Sequence, residues 1–362
     1  MKEEKNIINS FSLSTIIFSI NLAVLFGIIN SYLLNTSNTS TPISLIIGFI
    51  LTVILSTIPL KLFNTKEKLS FTEKIKYTYK KVSPIIFIIY IITSLTMYIL
   101  ITYRLTSFIS SQYLIEKSKI YLLIPTLLIT YYIANKGIET VTRLSQISFF
   151  ICIIIFIFDA LSLIPHVNID NYYPLINTSK TNILKSSLMF SIFSSVPFTY
   201  IQITNKSKLQ DKKKFTKLYH IINIISFLMI SSAIIITLGV YGINLTNLFD
   251  YPLYTVLKKI SLFSFLDSIE NASIMLWPLS LINACSIILL FIFNILDTTK
   301  YKKILKPLTI IISFLIPYLF LMDNTIIETF DYLIIPTTIV IILQITNLIT
   351  LIILKLKEFN KN

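Results

Sequence analysis

Phe190-Ser191-Ile192-Phe193-Ser194-Ser195-Val196-Pro197-Phe198 interrupts the apolar run that extends from Leu184 to Thr204. Hydroxyls and a proline stand where an unbroken hydrocarbon pattern would continue. Proline removes one backbone donor and clashes with the carbonyl four residues back, so a helix kinks or opens there. In lipid a freed carbonyl is costly, and such a break survives only where protein or a wet cavity satisfies it. Two readings follow. Either the Ser194 and Ser195 hydroxyls heal a proline kink, or the half-helix ends face a ligand at mid-membrane depth, as in discontinuous transporter helices.

The remainder of the chain calls for a membrane. Hydrophobic residues make up 54% of the 362 and charged residues 13%, with a mean hydropathy of +0.79. A soluble domain carries about 25% charged residues. Apolar runs of membrane-spanning length recur from end to end, which predicts helices rather than a barrel. We expect ten spans, at 11–34, 42–60, 83–112, 119–134, 146–164, 184–204, 218–242, 268–296, 307–322 and 331–354. Residues 244–267 read as an interfacial or re-entrant segment. The first run, Phe11 to Leu34, is too long for a signal h-region and is expected to be retained.

Charge placement gives the orientation. With both termini in the cytoplasm, 24 of the 31 lysines and arginines fall on that side. The formal charge of +14 is therefore a topology signal that also favours anionic headgroups, and it does not point to nucleic acid. Cys152 and Cys285 lie inside apolar runs and read as buried fillers. The sequence has no Gly-rich phosphate loop, nucleophile–base pair, Cys/His cluster or paired catalytic carboxylates, so neither an enzyme nor a cofactor is expected.

Charges within spans are expensive, which makes each a functional candidate. Arg104 sits inside the third span, Asp159 in the outer half of the fifth and Glu270 near the outer mouth of the eighth. They form either a structural ion pair that fastens helices or a site at which Arg104 holds the carboxylate of a ligand or gate. Ser94 and Tyr98 are four apart and share a helix face that Thr102 continues. In the eighth span Asn271, Trp277 and Asn283 interrupt an apolar run, with Pro278 as a second kink. Spans one to five (11–164) and six to ten (184–354) can be two inverted copies, since an odd number of helices flips the second. The counterpart of the sixth-span break then falls in the first span, near Asn21 to Gly27.

Lys136-Gly137-Ile138-Glu139-Thr140-Val141-Thr142-Arg143-Leu144 resembles the loop after the fourth span of the spore germination permeases. The likeness continues through Ile164 to Leu175, returns in Tyr251-Pro252-Leu253-Tyr254, and ends in Phe265-Leu266-Asp267-Ser268-Ile269-Glu270 followed by Trp277. These permeases are the B subunits of spore germinant receptors, distant relatives of the amino acid–polyamine–organocation transporters. The resemblance implies an all-α polytopic membrane protein of ten transmembrane helices. It would be one integral membrane domain over 1–362, built as a leucine-transporter-type 5+5 inverted repeat with helices 1 and 6 discontinuous.

It further implies a place in the spore inner membrane, both termini on the core side, beside an A-type membrane subunit and a C-type lipoprotein subunit. A small germinant, expected to be an amino acid, would bind between spans one, three, six and eight. By position this pocket falls on Ala23 and Val24, on Ser94 and Tyr98, on Ser194 and Ser195, and on Asn283, with the family arginine at Arg104. Three departures stand out. Both first-span glycines are replaced, by Ala23 and Leu25, which hinders close backbone approach to a ligand. Acidic residues of many relatives are Thr102 and Pro197 here. The rival readings are an amino acid/cation symporter, with Asp159 or Glu270 carrying the coupling, and a scaffold that binds no ligand.

Overall fold

A computed structural model describes residues 7–114, 118–260, 269–322 and 333–359, without the side chains of 269–276. The chain runs α1 (Ser10–Val24), a π-helical turn (Leu25–Ile29), α2 (Asn30–Ser37), α3 (Thr41–Asn64), α4 (Phe71–Tyr79), α5 (Ser83–Gln112) and α6 (Ile120–Asn135). It continues as α7 (Ile138–Leu163), α8 (Lys180–Ser194), α9 (Pro197–Tyr200), α10 (Lys212–Leu248) and α11 (Pro252–Thr255). The last three helices are α12 (Ile269–Leu296), α13 (Lys302–Met322) and α14 (Ile334–Phe359). The described residues hold no strand, only an isolated bridge between Ile8 and Leu209.

Seven helical stretches of the described residues are long and apolar enough to cross a membrane. The first, Ser10–Asn64, has 55 residues. At about 1.5 Å per residue it would exceed twice the roughly 30 Å hydrocarbon thickness, so it is more than one crossing. The chain breaks within it at Asn38, where φ is 48° and ψ is −133°. This is an all-α polytopic membrane protein.

α1 is the central rod. It is buried on every side, against α7, α10 and α12, whereas a lipid-facing helix would leave one stripe open. Its serines and threonines are small enough to let neighbouring helices come close. The start of α1 is pinned to the segment before α10: the Ile8 amide donates to Lys208 O (3.0 Å), Gln210 N to Ile8 O (3.0 Å), and Ser10 Oγ to Asp211 O (2.9 Å). Ser12 Oγ bonds Gln146, so α7 also starts at this face. We call it the N-terminal face.

The expected end of the seventh span at residue 242 falls on a bend and not on a terminus. Gly242 takes φ 66°, and α10 then resumes to Leu248. The bend accommodates the segment after α7. Asn168 N and Asn171 Nδ2 both donate to Gly239 O (3.0 and 2.7 Å), and Tyr172 OH donates to Ile235 O (3.0 Å). A Cβ at Gly239 would lie 2.2 Å from Tyr172 OH, so only glycine admits this docking.

α4 lies in what the sequence presented as a charged connection. A capping box starts it: Ser70 Oγ accepts from Glu73 N (3.4 Å), and the Glu73 carboxylate accepts from Ser70 N (2.7 Å). Lys74 is buried because its amine caps the end of α3, donating to Leu62 O and Phe63 O at 2.9 and 3.1 Å.

α3 and α8 form the closest helix pair away from α1. A Cβ on Gly48 would sit 2.8 Å from Phe190 Cδ1 and 3.0 Å from the Ser187 carbonyl. Gly48→Val should therefore push the two helices apart, at a cost of about 1–3 kcal/mol for overpacking. The check is the melting temperature of the detergent-purified protein, which should fall; an unchanged value would contradict the packing described.

Candidate functional site

Two interruptions were expected, and their geometries differ. In the first span the irregular backbone is the π-helical turn Leu25–Ile29, just beyond Ala23 and Val24, which remain in α1. A π-turn widens the helix by one residue and is frequent at functional sites. In the sixth span α8 stops at Ser194 and α9 starts at Pro197, while Ser195 and Val196 between them keep right-handed helical dihedrals. The first interruption faces a cavity, and the second is filled by side chains.

The cavity has a volume of about 140 Å³ and lies in the half of the bundle away from the N-terminal face. Its walls come from the π-turn (Gly27, Ile28), α5 (Arg104), α7 (Cys152, Asp159), α10 (Met229, Thr237) and α12 (Trp277). α12 and α5 come close to the π-turn at Gly27, where a Cβ would make ordinary contacts, 3.7 Å from both Trp277 and Leu281 and 3.9 Å from Arg104 Cβ. The segment from Asp250 to Leu257 roofs the cavity.

The roof is held by aromatic edges and a few hydrogen bonds. Tyr251 OH lies 3.1 Å from Ser107 Oγ, and Tyr241 OH donates to Thr255 O at 2.8 Å. Phe108 packs edge-on against Trp277 (4.6 Å), Tyr251 (5.1 Å) and Tyr254 (5.2 Å). Such pairs add about 0.5–1.5 kcal/mol each beyond burial.

Two polar atoms of lining residues are buried with no hydrogen-bond partner among the described residues: Asn30 Oδ1, an acceptor, and Trp277 Nε1, a donor. Buried polar groups are otherwise paired as a rule. Arg104, Asp159 and Asp250 add charges of both signs to the lining. A wall that is apolar over most of its area, with charges of both signs, an acceptor and a donor, suits a small bifunctional ligand with an apolar body.

Of the residues expected to bind ligand or carry intramembrane charge, Arg104 and Asp159 come together on this cavity. Glu270 lies outside the described side chains. Ala23 and Val24 are fully buried in the packing of α1. Tyr98 shares a hydrogen bond with Thr130 (2.9 Å), and Ser94 Oγ accepts from Tyr200 OH (3.3 Å). Ser194 bonds Thr52. Ser195 offers its carbonyl and hydroxyl oxygens to Gln344 Nε2, at 3.3 and 2.9 Å. Asn283 Nδ2 donates to Ser145 and Ser19, at 2.8 and 3.1 Å.

Sequence reasoning missed Asn30 and the α14 pair Gln344 and Asn347. Asn347 Nδ2 donates to Thr199 Oγ1 (3.0 Å) and its Oδ1 accepts from Tyr90 OH (2.7 Å). Both amides stand three apart on one face of an apolar helix, a spacing that marks a polar partner across the interface. A second, wider cavity of about 400 Å³ opens at the N-terminal face, between Ile8, Thr72, Gly137, Asn205 and Asn294. Among the described residues no cluster of His, Cys, Asp or Glu could hold a metal.

A family model described as spore germination protein matches residues 7–326. A comparison with curated proteins finds no match.

The α14 amides carry a prediction of their own. Gln344→Leu leaves the Ser195 carbonyl without its donor in a hydrocarbon interior, which should cost about 1–3 kcal/mol. Thermal unfolding in detergent should show the loss, and Gln344→Met, which is close in size and has no donor, should not restore it. Wild-type stability in Gln344→Leu would mean that the kink needs no help from α14.

Proposed function

The chain belongs to the spore germination protein family, and we propose that it is the B-type subunit of a germinant receptor. In this reading it has ten spans in two inverted sets of five and both termini on the core side of the spore inner membrane. It works beside an A-type membrane subunit and a C-type lipoprotein. A small germinant, an amino acid, enters from the side opposite the N-terminal face and occupies the cavity beneath the 250–257 roof.

One observation carries the reading: in a chain of this family, the roofed cavity presents Arg104 and Asp159 together with the unpaired Asn30 Oδ1 and Trp277 Nε1. An amino acid supplies what the two unpaired atoms lack, beside charges of both signs. Its ammonium donates to Asn30 and Asp159, its carboxylate accepts from Trp277 and Arg104, and its side chain meets the apolar wall. Ser94, Tyr98, Ser194, Ser195 and Asn283 then set the helix arrangement that shapes the cavity, and Ala23 and Val24 form its floor support. The ligand acts only through a difference in affinity between two helix arrangements, and that difference is passed to the partner subunits.

The test is the germinant dose response of spores carrying Trp277→Phe or Arg104→Gln. Trp277→Phe keeps the ring against Phe108 and removes the donor. Each should shift the half-maximal dose at least about tenfold upward, the size of one lost hydrogen bond. Protein level in the spore membrane should not change. A wild-type dose response for both variants would place the germinant elsewhere.

The second cavity, at the N-terminal face, favours a symporter as the alternative, since a carrier opens to each side in turn. Labelled amino acid uptake into proteoliposomes under an ion gradient separates the two: accumulation supports the carrier, and saturable binding without uptake supports the receptor.

A further inference from the structure

The buried face of α7 is polar for most of its length. Thr142, Ser145, Ser148, Cys152 and Asp159 follow one another there at helical spacing. Opposite them α1 places Ser12, Thr15 and Ser19, and α12 places Ser280 and Asn283, all buried. The contacts join the three helices into one seam. Cys152 Sγ lies 3.3 Å from Ser280 Oγ, Asn283 Nδ2 reaches Ser145 and Ser19, and Ser12 meets Gln146. Cys152 and Asp159, at one end, also line the roofed cavity. The other end lies at the starts of α1 and α7.

Two groups in the middle of this seam are unpaired among the described residues: Ser148 Oγ and Asn283 Oδ1, both on residues with no exposed surface. Ser148 is one of three buried serines left so among the described residues, with Ser186 and Ser231. Ser145, Ser187, Ser226 and Ser286 each return the hydroxyl to a carbonyl four residues back, and Ser148 does not. Leaving a hydroxyl and an amide oxygen unpaired in a membrane interior costs free energy on both counts.

We infer that the seam is a water-binding site: the roofed cavity continues inward past Cys152 as a short file of ordered water held by Ser148 and Asn283. A water accepts from Ser148 Oγ and donates to Asn283 Oδ1, with Ser280 Oγ and Cys152 Sγ as further neighbours. That meets the two to four partners a buried water requires. An apolar atom in its place would leave both groups unpaired. A bare ion would stand among neutral groups, since no charged residue of α1, α7 or α12 lies in the seam between Cys152 and Gln146. Water also lets α1 and α12 shift along α7, because each hydroxyl can exchange a protein partner for a solvent one. The inference rests on the cavity being open at Cys152, and the experiment separates the two.

Thiol labelling of the full-length chain in liposomes reads it. In a Cys285→Ser chain, native Cys152 should react with methanethiosulfonate-ethylammonium, which reports the cavity alone. In a Cys152→Ser, Cys285→Ser chain, Ser148→Cys should react at least roughly tenfold faster than Leu13→Cys, because a thiolate forms only where water reaches the sulfur. Leu13 is fully buried in the apolar packing of α1. Equal rates for Ser148→Cys and Leu13→Cys, with Cys152 reactive, would overturn the water file and leave the cavity standing. An unreactive Cys152 would remove both. Ser148→Ala gives an independent reading: loss of a water-holding hydroxyl lowers the melting temperature, whereas a rise would mean that the hydroxyl had been unsatisfied and the seam dry.

Discussion

A carbonyl with no donor inside hydrocarbon costs more than most single packing contacts return, and the fold is arranged around the place where proline creates one. Pro197 has no N–H for Phe193 O. That carbonyl takes the Val196 amide instead (3.2 Å), one residue closer, which tightens the turn and tips α9 against α8. Ile192 O receives the Ser195 hydroxyl at 2.6 Å. Ser195 O is left for Gln344, and Thr199, one turn on, is held by Asn347. The kink is thus closed from within by serine and from outside by α14. It is a joint rather than a mouth.

That closure explains why the cavity lies elsewhere. The groups at the kink are paired by protein, and a ligand would be better served by a region where pairing is incomplete. The π-turn at Leu25–Ile29 supplies one. It carries Gly27 into contact distance of Trp277 and Arg104 and leads into Asn30, whose amide oxygen the bundle leaves unpaired. The chain has no glycine at Ala23 or Leu25, and its glycine and irregular backbone lie slightly further along, at Gly27. The close approach to α5 and α12 is made there.

Much of this architecture was legible in the residues because lipid simplifies the code. Apolar runs mark helices. A proline flanked by serines marks the break, which falls at Ser195–Val196 within the stretch that announced it. Arg104 and Asp159 were legible for the same reason, since charge within a span demands a protein partner or a cavity. What escaped is what depends on partners distant in sequence. Gln344 and Asn347 look like stray amides until α14 is set against α8 and α9, and Asn30 looks like the polar end of a span until it is seen to line one cavity with Trp277. Tyr98 and Ser94 lie on one face as their spacing requires, but spacing does not say whether Thr130 and Tyr200 fill that face. The Ser70-to-Glu73 capping box that starts α4 was in plain view, hidden only by the charge around it.

The roofed cavity and the kink meet the same requirement by opposite means, and the difference bears on how a signal could arise. A rigid pocket binds a ligand without moving anything, because affinity that is equal in two states shifts neither. Here the lining is divided among the π-turn, α5, α7, α10, α12 and the 250–257 roof, so a small ligand there would touch several helices and the roof at once. The roof rests on aromatic edges and the hydroxyl contact between Tyr251 and Ser107, which can separate and re-form without unpairing a helix backbone. The kink, by contrast, is tied through Gln344 and Asn347 to the far side of the bundle. A ligand that drew Asn30 and Trp277 together would therefore pull on α2 and α12, whereas α8, α9 and α14 are already joined to one another through Ser195, Thr199, Gln344 and Asn347.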